Sequence, residues 1–313
     1  MNSTQRSVLS DGVALAVTTW GDRSASPLVL VHGYPDNHLV WQAVAEQLAD
    51  RFYVIAYDVR GAGDSDVPTR LTDYCMAQLS ADLLAVVEAL IPGRRFHLAG
   101  HDWGSIQSWE SVTTEPLRSR ILSFTTISGP CLDHVGFWMR RRFVSLSWAE
   151  QRKALRQLAA SWYIMFFQLP LIPPLPWKLG MDKLWPRYLQ KREGVREVHP
   201  NPNQRKDGEN GVNLYRANFQ SKLLKPDSRY TDVPVQLIVP TGDNYVGTQL
   251  FDELHQWVTE LYRRDIDANH WVPLSHPALI ARWVGEFAES VDAGHQEQQF
   301  AALRVGLSVA KAG

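Results

Sequence analysis

The sequence predicts an α/β fold, a mostly parallel twisted sheet with helices on both faces and an inserted, mainly helical cap. Three observations predict it. Short apolar runs end in Gly- or Pro-rich turns, segments of helical periodicity lie between those runs, and the alternation is interrupted once, over residues 131–229, by a stretch of different composition.

Taken in order, residues 27–31, Phe52–Tyr57 and 96–99 are almost uniformly apolar and stop at HGYPD, DVRGAGDSD and GHDWG. Continuous apolarity of that length is what strands covered on both faces require. Between them, residues 40–48 and 77–90 repeat apolar side chains at helical spacing, so strand and helix alternate as in a parallel sheet. Residues 121–127 predict a further strand. The interruption follows, with a helical stretch at 148–167, the proline-rich QLPLIPPLPW, the polar EVHPNPNQRKDGENG and a short segment around NLYRANF. Strands resume at 233–240 and 262–266, and 277–291 is the last helix. The expected organisation is a core formed by 1–130 and 230–295, a helical cap or lid at 131–229, and a helical tail at 296–313 with an Ala- and Val-rich face and no assigned role. A segment inserted at the carboxyl edge of a parallel sheet is positioned to cover a site and exclude water.

Composition narrows the function classes. Hydrophobic residues make up 45% of the 313 and charged residues 21%, the balance of a globular protein. Lys plus Arg number 32 against 33 Asp plus Glu, so no overall field is expected to recruit nucleic acid or an anionic bilayer. No apolar run reaches the roughly 18 residues of a membrane span, and MNSTQRSVLSDG lacks the apolar stretch of a secretory signal; the expected location is cytoplasmic. Cys75 and Cys131 show no CxxC spacing and are expected to be reduced thiols. No metal or organic cofactor is implied. Homodimers are common among soluble enzymes, and a homodimer is the assembly considered.

Parallel sheets hold ligands at the carboxyl ends of their strands, where the turns above lie. In LAGHDWGS, small residues flank Asp102 between an apolar strand and a helical segment, the pattern of a strained elbow that projects one side chain. The N–H of Trp103, opening the next helix, is suited to hold an oxyanion on an acyl carbon at Asp102, and the N–H of Tyr34 in HGYP is the second donor. An acyl intermediate needs a base to activate water, and a carboxylate to orient that base. Residues 235–240 run into Thr241-Gly242-Asp243, and 264–268 run into Asn269-His270, which puts Asp243 and His270 at successive strand ends in the order nucleophile, acid, histidine. An ordinary turn explains each residue alone. The conjunction of three correct residue types at three strand ends favours a catalytic set. His32 and His101 sit in motifs with other roles, and His276 opens a helix in Ser-His-Pro.

HGYPDN, DVRGAGDSD, GHDWGS, GDNYV and NHWVPLSHP together resemble the epoxide hydrolase branch of the α/β-hydrolase fold family, over residues 10 to 290. The resemblance implies an alkyl-enzyme ester on Asp102, hydrolysed by water that His270 and Asp243 activate, and conversion of an epoxide to a vicinal diol. SWYIMFFQ and NLYRANF look like the family's two lid-tyrosine segments, which assigns Tyr163 and Tyr215 as proton donors to the epoxide oxygen. Trp103, Tyr34, Trp162, Phe166 and Phe167 are the expected substrate-binding residues, and with Leu169 and Trp177 they imply a small hydrophobic epoxide, with water as co-substrate.

Two other readings use the same residues. A haloalkane or haloacid dehalogenase shares the Asp nucleophile, but halide leaves without an acid, the position after His32-Gly33 is Tyr34 rather than Asn, and Trp103 stands where fluoroacetate dehalogenases carry arginine. A non-catalytic ligand-binding protein on this fold is disfavoured because every catalytic position is filled. A looser resemblance is to the hydrolase half of proteins that join such a domain to a short-chain dehydrogenase.

Overall fold

In the computed structural model, which describes residues 3–198 and 200–306, the apolar runs pair into one nine-stranded sheet of order β1-β2-β4-β3-β5-β6-β7-β8-β9. The chain runs β1 (Thr4–Ser10), β2 (Val13–Trp20), β3 (Ser26–Val31), α1 (Gln42–Leu48), β4 (Phe52–Tyr57), α2 (Met76–Leu90), β5 (Phe96–His101), α3 (Trp103–Thr113) and β6 (Ile121–Ile127). After an excursion through α4 (Leu132–Phe143), α5 (Trp148–Ala160), α6 (Trp162–Phe167), α7 (Asp182–Arg192) and α8 (Gln204–Leu224), it returns to the sheet as β7 (Val235–Pro240) and β8 (Leu261–Ile266). The short α9 (Val272–Ser275), then α10 (Pro277–Asp292), α11 (Gln296–Gln299) and β9 (Arg304–Val305) complete it. Among the described residues no helix is long and apolar enough to cross a membrane.

The strands from β3 to β8 pair in parallel, and β3, β4, β5 and β7 bury nearly every side chain between two helical layers. That is why they read as unbroken apolar runs. On one face α2 and α3 pack through Leu83, Val86 and Trp109; on the other, α1 and α10 pack through Val44, Leu48, Ile280 and Val284. After β3 the chain steps to β4 on one side, then crosses to β5 on the other. Tyr34 and Asp102 therefore rise from adjacent strand ends at the switch point, where the two loops part and leave a crevice.

Four segments depart from expectation. β1 and β2 form an antiparallel hairpin that carries no strand signal in β1, because most of its side chains are exposed and alternation is lost. Residues 148–167 break at Ser161 into α5 and α6. The tail is not one helix: α11 is a single turn, and β9 then pairs antiparallel with β8, satisfying backbone groups that an open edge would leave to solvent. Residues 307–313 of that expected helix lie outside the described residues.

The largest departure is α8, which runs through the polar stretch and NLYRANF, where no helix was predicted. Gly208 and Gly211 each cost a helix interior about 1 kcal/mol relative to alanine. They are needed for packing: a Cβ at Gly208 would run into the Trp177 indole, and one at Gly211 into the Tyr34 ring. Gly211→Ala is expected to regain the propensity but displace a ring that packs edge-on against Phe167, Trp177 and Tyr215, an overpacking cost of about 1–3 kcal/mol. The expected outcome is a melting temperature lower by about 2–4 °C for each kcal/mol of net loss; a higher one would show that the ring has room to yield.

Candidate active site

Asp102 closes β5 and caps α3 with φ 52° and ψ −123°, a left-handed conformation that a non-glycine residue holds only under strain from its surroundings. Gly100 and Gly104 make the corner possible, since a Cβ on either would strike backbone of the elbow or of β3. Gly33 plays the same part from the facing loop, where a Cβ would meet the Asp102 carboxylate. The side chain thus stands above the sheet, almost wholly enclosed.

Its two oxygens are divided between two partners. Oδ1 accepts the Tyr34 N–H at 2.7 Å, and Oδ2 lies 3.4 Å from His270 Nε2. His270 Nδ1 is 2.8 Å from Asp243 Oδ2, and the other Asp243 oxygen accepts the N–H groups of Tyr245 (2.8 Å) and Val246 (3.0 Å). The three strand ends named from the sequence therefore meet as carboxylate, imidazole, carboxylate. The Trp103 N–H opens α3 beside Asp102 and forms no hydrogen bond among the described residues.

Electrostatics fix the charges. Burial opposes an imidazolium at His270, but the Asp243 and Asp102 carboxylates outweigh it and hold its pKa well above the ordinary value. Asp243 stays ionised: burial pushes its pKa up, and the His270 charge and hydrogen bonds pull it below the usual range. The arrangement favours the imidazolium form of His270, flanked by Asp102 and Asp243. Asp102→Asn removes one of those charges, so the His270 pKa is expected to fall, as read by NMR titration of the ring; no change would mean that the two groups are not coupled.

Two histidines are structural. His101 Nε2 holds the His270 carbonyl at 2.9 Å, its pKa pushed down to about 4 by burial and the His270 charge, and His32 Nε2 accepts the Val59 N–H at 2.8 Å. Both are neutral braces for the loops.

Above Asp102 lies a cavity of about 360 Å³, within the range of small-molecule sites. Asp102 and His270 form its polar floor, and Tyr34, Trp162, Tyr163, Phe166, Phe167 and Tyr215 are among its walls. Tyr163 and Tyr215 meet edge-on, ring centroids 6.1 Å apart, and both phenols are held far above their ordinary pKa by burial and then by the Asp102 charge, so each keeps its proton. The Trp103 side chain does not reach the cavity. It is fully buried behind Tyr215 and Phe219, which leaves only its backbone at the site. Leu169, named with the lid aromatics, points to solvent and also lies outside the lining.

The sequence reading missed Glu193, which follows α7 and is buried. Its Oε2 accepts the His270 N–H at 3.0 Å, and its other oxygen accepts from the Tyr188 hydroxyl at 3.3 Å. Tyr188 in turn hydrogen-bonds Tyr245, whose ring packs edge-on against both His270 and Tyr163. The inserted helices thus brace His270 as well as enclosing the cavity. Tyr245 was within reach, since it stands two residues after Asp243; nothing local marks Glu193.

Comparison with known proteins gives consistent relatives. The model of the alpha/beta hydrolase fold family matches residues 26–277. The probable oxidoreductase EphD of Mycobacterium tuberculosis is 34% identical over 95% of this chain, and the chain spans 51% of that protein's length. Epoxide hydrolase 3 of Xenopus tropicalis is 25% identical over 88% of the chain and 75% of its own. Among solved structures, an epoxide hydrolase from Bacillus megaterium superposes with a TM-score of 0.75 at 20% identity, over 91% of this chain and 100% of the other, which is a likeness of fold.

Proposed function

The chain belongs to the alpha/beta hydrolase fold family, and from that premise we propose that it is an epoxide hydrolase, opening a hydrophobic epoxide to a vicinal diol through an ester on Asp102. One observation supports the reading: the Asp102 carboxylate, the His270 imidazole and the Tyr163 and Tyr215 phenols share a single apolar cavity. The names of the Xenopus and Bacillus relatives point the same way.

Asp102 attacks an epoxide carbon, the C–O bond breaks, and the released oxygen takes a proton from Tyr163 or Tyr215. The carboxylate becomes a neutral ester in that step. One of the two charges holding the His270 proton is gone, so the imidazolium re-protonates the phenolate and is left neutral, which is the form a base requires. Water then adds to the ester carbon, giving His270 its proton, and the oxyanion forms where the Tyr34 N–H already sits and where the Trp103 N–H is free. Collapse expels the diol oxygen, which takes the proton of the new Asp102 carboxyl. Carboxylate, imidazolium and both phenols are restored.

The helical insert acts as a cap, since the two acids come from it and water outside the cavity would otherwise compete for the alkoxide. The test is a single turnover of styrene oxide in heavy-oxygen water, with the Asp102 peptide weighed afterwards. Label in that peptide and an unlabelled first diol are expected. Labelled diol with an unlabelled peptide would overturn the covalent route, and halide release from haloalkanes without any diol would favour the dehalogenase.

A further inference from the structure

The near-zero total charge conceals an uneven distribution. Between Arg140 and Arg196 the chain carries 12 Lys and Arg against three Asp and Glu, which leaves 20 against 30 in the remainder. Apolar exposure is as uneven: of twenty large apolar side chains that stay exposed among the described residues, fifteen fall between Phe143 and Leu184. Both excesses belong to the cap.

Two of these apolar side chains reach the cavity mouth. Trp162 and Met181 line the cavity and are also 66% and 38% exposed, so the opening runs between them. In the connection joining those residues, Leu171 and Leu179 are each 84% exposed. On α7, Lys183, Leu184, Arg187 and Lys191 share one exposed face, opposite the buried Trp185 and Leu189. Among the described residues Lys183, Arg187, Lys191, Arg192 and Arg196 form no ion pair.

We propose that this rim docks on an anionic lipid leaflet and that the cavity takes its epoxide from there. Exposed apolar side chains interleaved with unpaired cations suit a bilayer interface, which accepts the first below its headgroups and the second among them. A nucleic acid would use the cations and leave the leucines in water. A second copy placed cap to cap would bring two basic faces together. The docking surface stands on its own; the substrate, an epoxide on a lipid-soluble chain, rests on the reaction proposed above.

The test is co-sedimentation of the full chain with vesicles of phosphatidylcholine alone and of phosphatidylcholine mixed with phosphatidylglycerol. Binding to the mixed vesicles is expected to be at least about tenfold tighter and to weaken with salt. It should drop by about tenfold or more in a Leu171→Glu/Leu175→Glu/Leu179→Glu variant and in a Lys183→Glu/Arg187→Glu variant. None of these residues lines the cavity, so both variants should hydrolyse dissolved styrene oxide as the parent does while losing turnover of a long-chain epoxide held in vesicles. Equal or absent binding to the two vesicles overturns the proposal. So does a parent dimer that the leucine variant splits without vesicle binding, which would assign the rim to a second copy. Vesicle binding with no epoxide opened keeps the docking surface and fells the reaction.

Discussion

His270→Gln is expected to form the Asp102 ester and then stop. Glutamine fills a similar space and still donates a hydrogen bond, but it takes no proton from water, so hydrolysis should slow by about 10⁴-fold, or about 5 kcal/mol of barrier. Ester formation depends on the carboxylate, on the phenols and on substrate position, and should persist. Mass spectrometry after mixing with styrene oxide would show the enzyme heavier by one substrate within the time of a parent turnover, with diol release nearly absent. A variant that turns over normally would remove His270 from the mechanism. One that forms neither ester nor diol would mean that the imidazolium, which pairs with Asp102 across 3.4 Å, is needed for the attack itself.

The Tyr163→Phe/Tyr215→Phe variant should fail at the preceding step. Each hydroxyl aimed at the developing alkoxide is worth about 10²–10³ in rate when removed alone, as for a single donor at other oxyanions. With both gone no acid reaches the oxygen, and the loss should exceed the larger single effect by at least about 100-fold. The readout is the rate of ester formation in a single turnover. A double variant no slower than the slower single one, or no loss in either single variant, would leave the two rings as packing aromatics that meet edge-on across the cavity.

What could be read from the sequence follows from how local its causes are. The elbow at Asp102 is written in its own neighbours, because the strained corner tolerates only glycine on each side. Asp243 was legible because it comes just after a buried, uniformly apolar strand, whereas β8 before His270 carries Arg263, Arg264 and Asp265, and His270 was legible from its place in the order nucleophile, acid, histidine. α8 was not legible. Gly208, Asn210 and Gly211 look like turn residues until Trp177 and Tyr34 are seen lying against them, and those rings are distant in sequence. Glu193 was hidden for the same reason, since a carboxylate after a basic helix looks solvated until the His270 amide is found at 3.0 Å. The charge of the cap escaped notice because acidic residues elsewhere cancel it in the total.

Tyr34 has a consequence for how such a protein could be rebuilt. Its amide donates to the Asp102 carboxylate from the sheet side, while its hydroxyl donates to the Gly208 carbonyl and accepts from the Trp177 indole on the other. One residue is thus a structural member of both halves. A helical insert transplanted from another scaffold would arrive without the notch left by Gly208 and Gly211, and the misfit would be felt at the Tyr34 amide first. The cap is therefore no interchangeable module, and any recombination of specificity must carry Tyr34, Trp177, Gly208 and Gly211 together as one inherited unit.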